Sequence, residues 1–231
     1  AASGTYRVGI DLGSQKSIGM LALLNHNIGG NVYSIKLSNV AVQLSDVALI
    51  GGSTSPESNF IWSGTTYDPK NSFWYFATPY TARYVTFGVV IPAAADVDVG
   101  RIWIDEGWAM NLSLDFSLGI EDTSTIAESR GGSIYPSTKK IRKVMSCRAW
   151  GLSTNNVIGD PADTALNSFM TADLAIGQHG ECVLMADTTN DTTLNRMSVY
   201  GHLSRNEPVR FINKGADGYI SEKRFTLLED F

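Results

Sequence analysis

The residues able to do chemistry are few and scattered. Asp11 closes an apolar run and is followed by Leu12, Gly13 and Ser14, so Val8 to Ser14 reads as a strand ending in Asp-x-Gly. That order suits a phosphate site, because glycine lets backbone amides approach closely and aspartate can organise Mg²⁺-bound water. It equally describes a strand that ends in a glycine turn. His26, His179 and His202 keep no metal-ligand spacing, so zinc has no support. His26, between Asn25 and Asn27, reads as a turn residue rather than a base. Cys147 and Cys182 lie far apart without C-x-x-C spacing, and two buried reduced thiols are expected ahead of one disulfide. No serine sits in a Gly-x-Ser-x-Gly elbow, and neither cysteine has a recognisable nucleophile context. Lys139, Lys140, Arg142 and Lys143 could form a phosphate patch, yet beside a strand in an acidic chain they read as a solvated or subunit-facing strand end. Trp62, Tyr67, Phe73, Trp74 and Tyr75 gather in or beside a loop-like stretch. Exposed, such rings could stack on a sugar or anchor a neighbouring subunit; a strand would account for Phe73 to Tyr75 as well.

The elements that must hold these residues are strands. Hydrophobic residues make up 43% of the 231 and charged residues 18%, which excludes wholesale disorder. Eighteen basic against twenty-three acidic side chains leave a net charge of −5, which argues against a nucleic-acid partner. No apolar run approaches the ~20 residues of a membrane helix. No leader-like stretch opens the chain, and Ala1 leaves a trimmed terminus open. Short apolar or alternating runs, broken by Gly, Asn, Asp, Ser and Pro, predict an all-β fold. Strands are expected at Tyr6–Leu12, Ser17–Leu24, Val32–Leu37, Arg83–Ile91, Val97–Ile104, Leu112–Leu118, Ile141–Leu152, Cys182–Met185, Met197–Leu203 and Tyr219–Leu228. Gly51 to Asn59 reads as a surface loop. One helix is expected near 161–175, with Asp160 as N-cap, Pro161 in its first turn, and Leu166, Phe169, Met170 and Leu174 at helical spacing before Gly177 and Gly180. The polar stretch from Gly119 to Gly132 marks a boundary between domains 1–120 and 121–231.

Three resemblances bear on function. Val8 to Ser14 resembles the first phosphate loop of the actin and heat-shock-70 ATPases, but that fold needs two lobes with several helices each. Asp98-Val99-Gly100-Arg101 also makes a poor second loop. A nucleotide-binding reading is therefore a minor alternative. Ile10-Asp11-Leu12-Gly13, the run Ile18 to Leu24 and the Asn25-His26-Asn27 turn resemble the opening of discoidin-like (coagulation factor 5/8 type C, galactose-binding-like) jelly rolls. Arg83-Tyr84-Val85-Thr86-Phe87 and Gly100-Arg101-Ile102-Trp103-Ile104 match later strands of that family in order. From 130 to 231, a long strand, a helix, Glu181 to Met185 and the closing Phe225 to Glu229 resemble the β-barrel of tail-tube-like and distal tail proteins of tailed phages.

The last two resemblances together imply a discoidin-like sandwich followed by a smaller β-barrel domain with one helix. They imply a non-enzymatic structural protein of a phage tail tip or baseplate, without cofactor or metal, located in the virion and assembled in the host cytoplasm. Its partners would be further copies of itself in a ring and other tail proteins, with no nucleic acid and no membrane insertion. The alternative is a carbohydrate-binding module for host-surface attachment. Trp62, Tyr67, Trp74 and Tyr75 are the expected contact or sugar-stacking residues under either reading.

Overall fold

Tyr6–Leu12 and Ser17–Leu24, expected as two strands, belong to one. In a computed structural model of the protein, which describes residues 4–28, 32–39, 59–60, 70–91, 96–108, 113–122, 124–128, 134–137, 139, 141–159, 168–177, 180–215 and 218–230, strand β1 runs unbroken through Gly4–His26. It pairs antiparallel with β4 (Ser72–Ile91), from Gly4 opposite Ile91 to Leu23 opposite Ser72. The ladder shifts register between Asp11 and Lys16, and again between Ile18 and Met20. Gly13 takes a φ of 77° at the first shift, a conformation in which glycine carries no Cβ penalty. The Asp-Leu-Gly segment is therefore a bulge inside a strand, where added residues kink the ladder without ending it.

β2 (Val32–Ser38), β3 (Asn59–Phe60) and β5 (Val99–Asp105) complete an antiparallel sheet in the order β3-β2-β4-β1-β5. Its main core joins Ile18, Leu21, Leu23, Ile35, Leu37, Trp74, Val85 and Phe87. Met20, Ala22 and Leu24, on the opposite parity of β1, are buried as well. The helix α3 (Asp191–Arg196) packs against β4 in this region. Its Asn195 side chain accepts from the Phe73 N–H at 2.8 Å and donates to the Phe73 carbonyl at 3.2 Å. One amide thereby satisfies both backbone groups of a strand residue, as a neighbouring strand would.

The second sheet has the order β10-β11-β13-β9-β6, with β12 on β13. These are β6 (Ser113–Glu121), β9 (Arg142–Leu152), β10 (Glu181–Met185), β11 (Ser198–Asn206), β12 (Arg210–Gly215) and β13 (Gly218–Glu229). Alternation along β9 and β13 sends Met145, Cys147, Ala149, Lys223, Phe225 and Leu227 to one buried face. α1 (Thr154–Ile158) packs against β9 and β13, and against α2 (Phe169–Ile176). Phe169 of α2 meets Trp108 edge-on at 5.2 Å between centroids and lies 6.3 Å from Phe225. Lys223, whose side chain is only 2% exposed, pairs with Asp173 of α2 at 2.5 Å. Asn206 also donates to Asp173, at 3.0 Å. A charge so deep persists because a counter-charge meets it there.

The class is all-β with short helices, three among the described residues. α2 starts at Ser168, whose hydroxyl caps the Thr171 N–H, and Gly177 ends it as expected. Asp160, Pro161 and Leu166, expected to open it, lie outside the described residues. Met170 and Leu174 are 52% and 78% exposed, so only Phe169 of the described apolar series is core. The chain groups into two compact units, 1–107 with 186–196 and 108–185 with 197–231. This differs from a division near residue 120, because the ladder from Ser113–Trp150 to Glu121–Arg142 binds β6 to β9 and so to the second sheet.

Candidate functional site

The second unit carries two surface features that burial does not account for. The first is the face of the sheet opposite its helices. Register builds it row by row. Ser113, Trp150, Glu222 and Arg210 are successive partners across β6, β9, β13 and β12. Asp115, Arg148 and Arg224 form the next row, and Ser117, Ser146, Thr226 and Arg205 the one after. Residues two apart in a strand point the same way, about 7 Å apart. Trp150 is thus the same-face neighbour of Arg148, and it is 49% exposed.

Arg148 and Arg224 stand directly opposite, an arrangement that repels by itself. Glu222 offsets this. Its carboxylate is 6% exposed and accepts from Arg148 Nη2 and Nε at 2.7 and 3.0 Å. Arg210 and Arg224 stand 3.7 and 3.8 Å away. The hydrogen bond from Arg148 holds the Glu222 carboxyl below its usual range, and the charges of Arg148, Arg224 and Arg210 add to this. Beside these groups, Ser146 and Thr226 share a hydroxyl contact of 3.1 Å, and Arg205 pairs with Glu207 at 2.5 Å. A depression of about 610 Å³ opens here, lined by Ser117, Ser146, Arg148, Arg205, Glu207 and Arg224 among others. Small-molecule sites occupy roughly 300–1,000 Å³.

The second feature is the ribbon of β7 (Thr125–Glu128) and β8 (Ile134–Ser137), which lies between β6 and β9 in the chain and forms a sheet of its own. At its base Arg142 pairs with Glu121 at 2.7 Å, and the Ser124 hydroxyl accepts from the Lys139 N–H at 2.9 Å. Ile126, Ile134 and Tyr135 are 73%, 65% and 61% exposed. Ile120 and Ile141, flanking the ribbon, are exposed too. Ile126 and Ile134 share a face, since Ile134 pairs with Glu128, two residues beyond Ile126.

The expected site residues do not converge. Trp62 and Tyr67 lie outside the described residues. Trp74 is 2% exposed inside the core of the first unit, 6.4 Å from the Phe87 ring, which corrects its expected place at a contact surface. Tyr75 is half-buried in the same strand. Asp11 takes both Nε and Nη2 of Arg83, at 2.8 and 2.9 Å, and the Gly13 N–H at 2.8 Å. The bond from Arg83, then that from Gly13, hold its carboxyl down to about 2. Its donors serve the bulge rather than a phosphate. His26 is 4% exposed; its Nδ1 accepts the Ile28 N–H at 3.2 Å, which leaves Nε2 to donate to Ser72 Oγ at 2.8 Å. In the basic run, Arg142 is in its ion pair, the Lys143 N–H donates to Glu229, and Lys140 lies outside the described residues.

Both thiols are free. Burial pushes Cys147 up to about 11, and burial with the nearby Asp230 charge pushes Cys182 up to about 12, so neither is a thiolate at neutral pH. Among the described residues no three His, Cys, Asp or Glu side chains are grouped to hold a metal. Sequence reasoning missed Trp150, Arg148 and Arg224, although the alternation Met145-x-Cys147-x-Ala149 puts Ser146, Arg148 and Trp150 on the other face. It also passed over Ile126 and the Ile134-Tyr135 pair, apolar residues set in a polar stretch. No protein-family model, curated protein or solved structure matches the chain.

Proposed function

We propose that the chain is a non-enzymatic structural component of a tailed-phage virion, at the tail tip or baseplate, working through docking between subunits. The observation that carries this reading is the β7–β8 ribbon. A two-stranded ribbon is marginal in water on its own, and this one turns Ile126, Ile134 and Tyr135 outward. Each such side chain, once covered by a neighbour, contributes roughly 1.5–3 kcal/mol. Docking would therefore stabilise the ribbon and the assembly together. Met170 and Leu174, four residues apart on α2, offer a second apolar contact. The finer architecture belongs to the same proposal: a discoidin-like sandwich joined to a tail-tube-like barrel, in a ring of identical subunits with other tail proteins as neighbours. Two free thiols suit assembly in a reducing host cytoplasm.

Sedimentation of the full chain over a concentration series tests this, compared with Ile126→Lys combined with Ile134→Lys. The wild type should form a closed oligomer and the variant should remain monomeric with an unchanged circular dichroism spectrum. A wild type that is monomeric throughout, or a variant that assembles equally well, would overturn it.

A further inference from the structure

The polar face of the second sheet is charged against the trend of the chain. Arg148, Arg205, Arg210 and Arg224 face Asp115, Glu207 and Glu222, four cations against three anions, on a protein of net charge −5. Three of those arginines converge on Glu222. Arg148 is oriented by its two bonds to that carboxylate. Arg224 stands 3.8 Å from Glu222, beyond hydrogen-bond range, so that contact leaves the N–H donors of Arg224 uncommitted. The depression beside them is lined by the Ser117, Ser146 and Thr226 positions, whose hydroxyls both donate and accept. At one end of the face Trp150 is half exposed, one strand repeat from Arg148.

We infer that this face binds an acidic saccharide, with its oxyanion on Arg148 and Arg224, its hydroxyls along the Ser146–Thr226 row and a ring stacked on Trp150. Guanidinium groups match carboxylate and phosphate oxygens in charge and geometry. Neighbouring hydroxyls suit a polyhydroxylated ligand, and an exposed indole offers an apolar face to a sugar ring. A free small anion would use the arginines and leave Trp150 idle. A neutral sugar would use Trp150 and leave the arginine excess unmatched. A glycan contact expected from the aromatics of the first unit thus has its better-equipped surface in the second. The inference does not depend on docking through β7–β8, because the two features occupy different strands and are read by different assays.

Calorimetric titration of the full chain with oligogalacturonate, its methyl-esterified neutral counterpart and inorganic phosphate tests it. Oligogalacturonate should bind, with the ester and phosphate each at least about tenfold weaker. Trp150→Ala and Arg224→Gln should each weaken binding about tenfold, and Arg224→Lys should recover part of the loss. Circular dichroism checks that each variant is folded; both positions are exposed, so neither change opens a core cavity. Binding of the ester as tight as the acid, or of phosphate as tight as the oligomer, would overturn the inference. So would the absence of oligomer binding, or folded variants that bind like the wild type.

Discussion

The β1–β4 ribbon and the β7–β8 ribbon are built from the same kinds of residue and end in opposite surroundings. β1 and β4 carry Ile18, Leu21, Leu23, Trp74, Val85 and Phe87 into one core. A second set of side chains on their other parity is buried as well, with α3 packed alongside β4. β7 and β8 carry Ile126, Ile134 and Tyr135, and all three are exposed. Four paired residues on each side cannot bury a face by themselves, and the strand pairing of this ribbon stops at its own two strands. Apolar residues in a strand thus report a surface that needs covering. Whether the same chain covers it depends on what else that chain packs there.

The sharpest way to break the comparison is to remove one side chain from each ribbon. Trp74→Ala should cost about 3–5 kcal/mol, the range for a large aromatic removed from a core, read as a drop in the urea midpoint. The Ile126→Lys, Ile134→Lys pair should stay within about 0.5 kcal/mol of wild type in the monomer, as exposed substitutions do. If the two variants lose equal stability, the ribbons are not different in kind.

Acid should act on the first ribbon through its bulge. Asp11, held down to about 2 mainly by its bond from Arg83, titrates lower in the folded chain than in the unfolded one. A depressed carboxyl contributes stability in full above its unfolded value of about 4, and loses it as pH falls towards the folded value. Glu222, held down by Arg148, adds a loss of the same sign. Urea midpoints should therefore fall below about pH 4, and Asp11→Asn should flatten part of that fall. An unchanged acid profile in Asp11→Asn would remove the ion pair from the account.

Much of the strand pattern was legible because period-two alternation and turn residues act locally. Val32 to Leu37 and Ile141 to Leu152 show this, appearing as β2 and β9 nearly to the residue. What escaped depends on contacts distant in sequence. Asp11-Leu12-Gly13 reads as a strand end until Arg83, 72 residues away, is seen holding the bulge in the strand. Phe73 to Tyr75 read equally as strand residues or as exposed contact aromatics until β1 is seen pairing with them, which buries Trp74. The arginine face depends on the register of four strands, and no one strand contains it. α3 was missed because six residues give too short a window for helical periodicity.

The central claim is that β7–β8 is a docking ribbon, and amide hydrogen exchange of the full chain tests it most directly. Amides of 125–128, 134, 135 and 137 should exchange rapidly in dilute monomer and gain protection in the concentrated, associated protein, while those of β9 and β13 stay protected in both. Rapid exchange of the ribbon in both states, with new protection elsewhere on the surface, would contradict the claim and move the interface to that other surface.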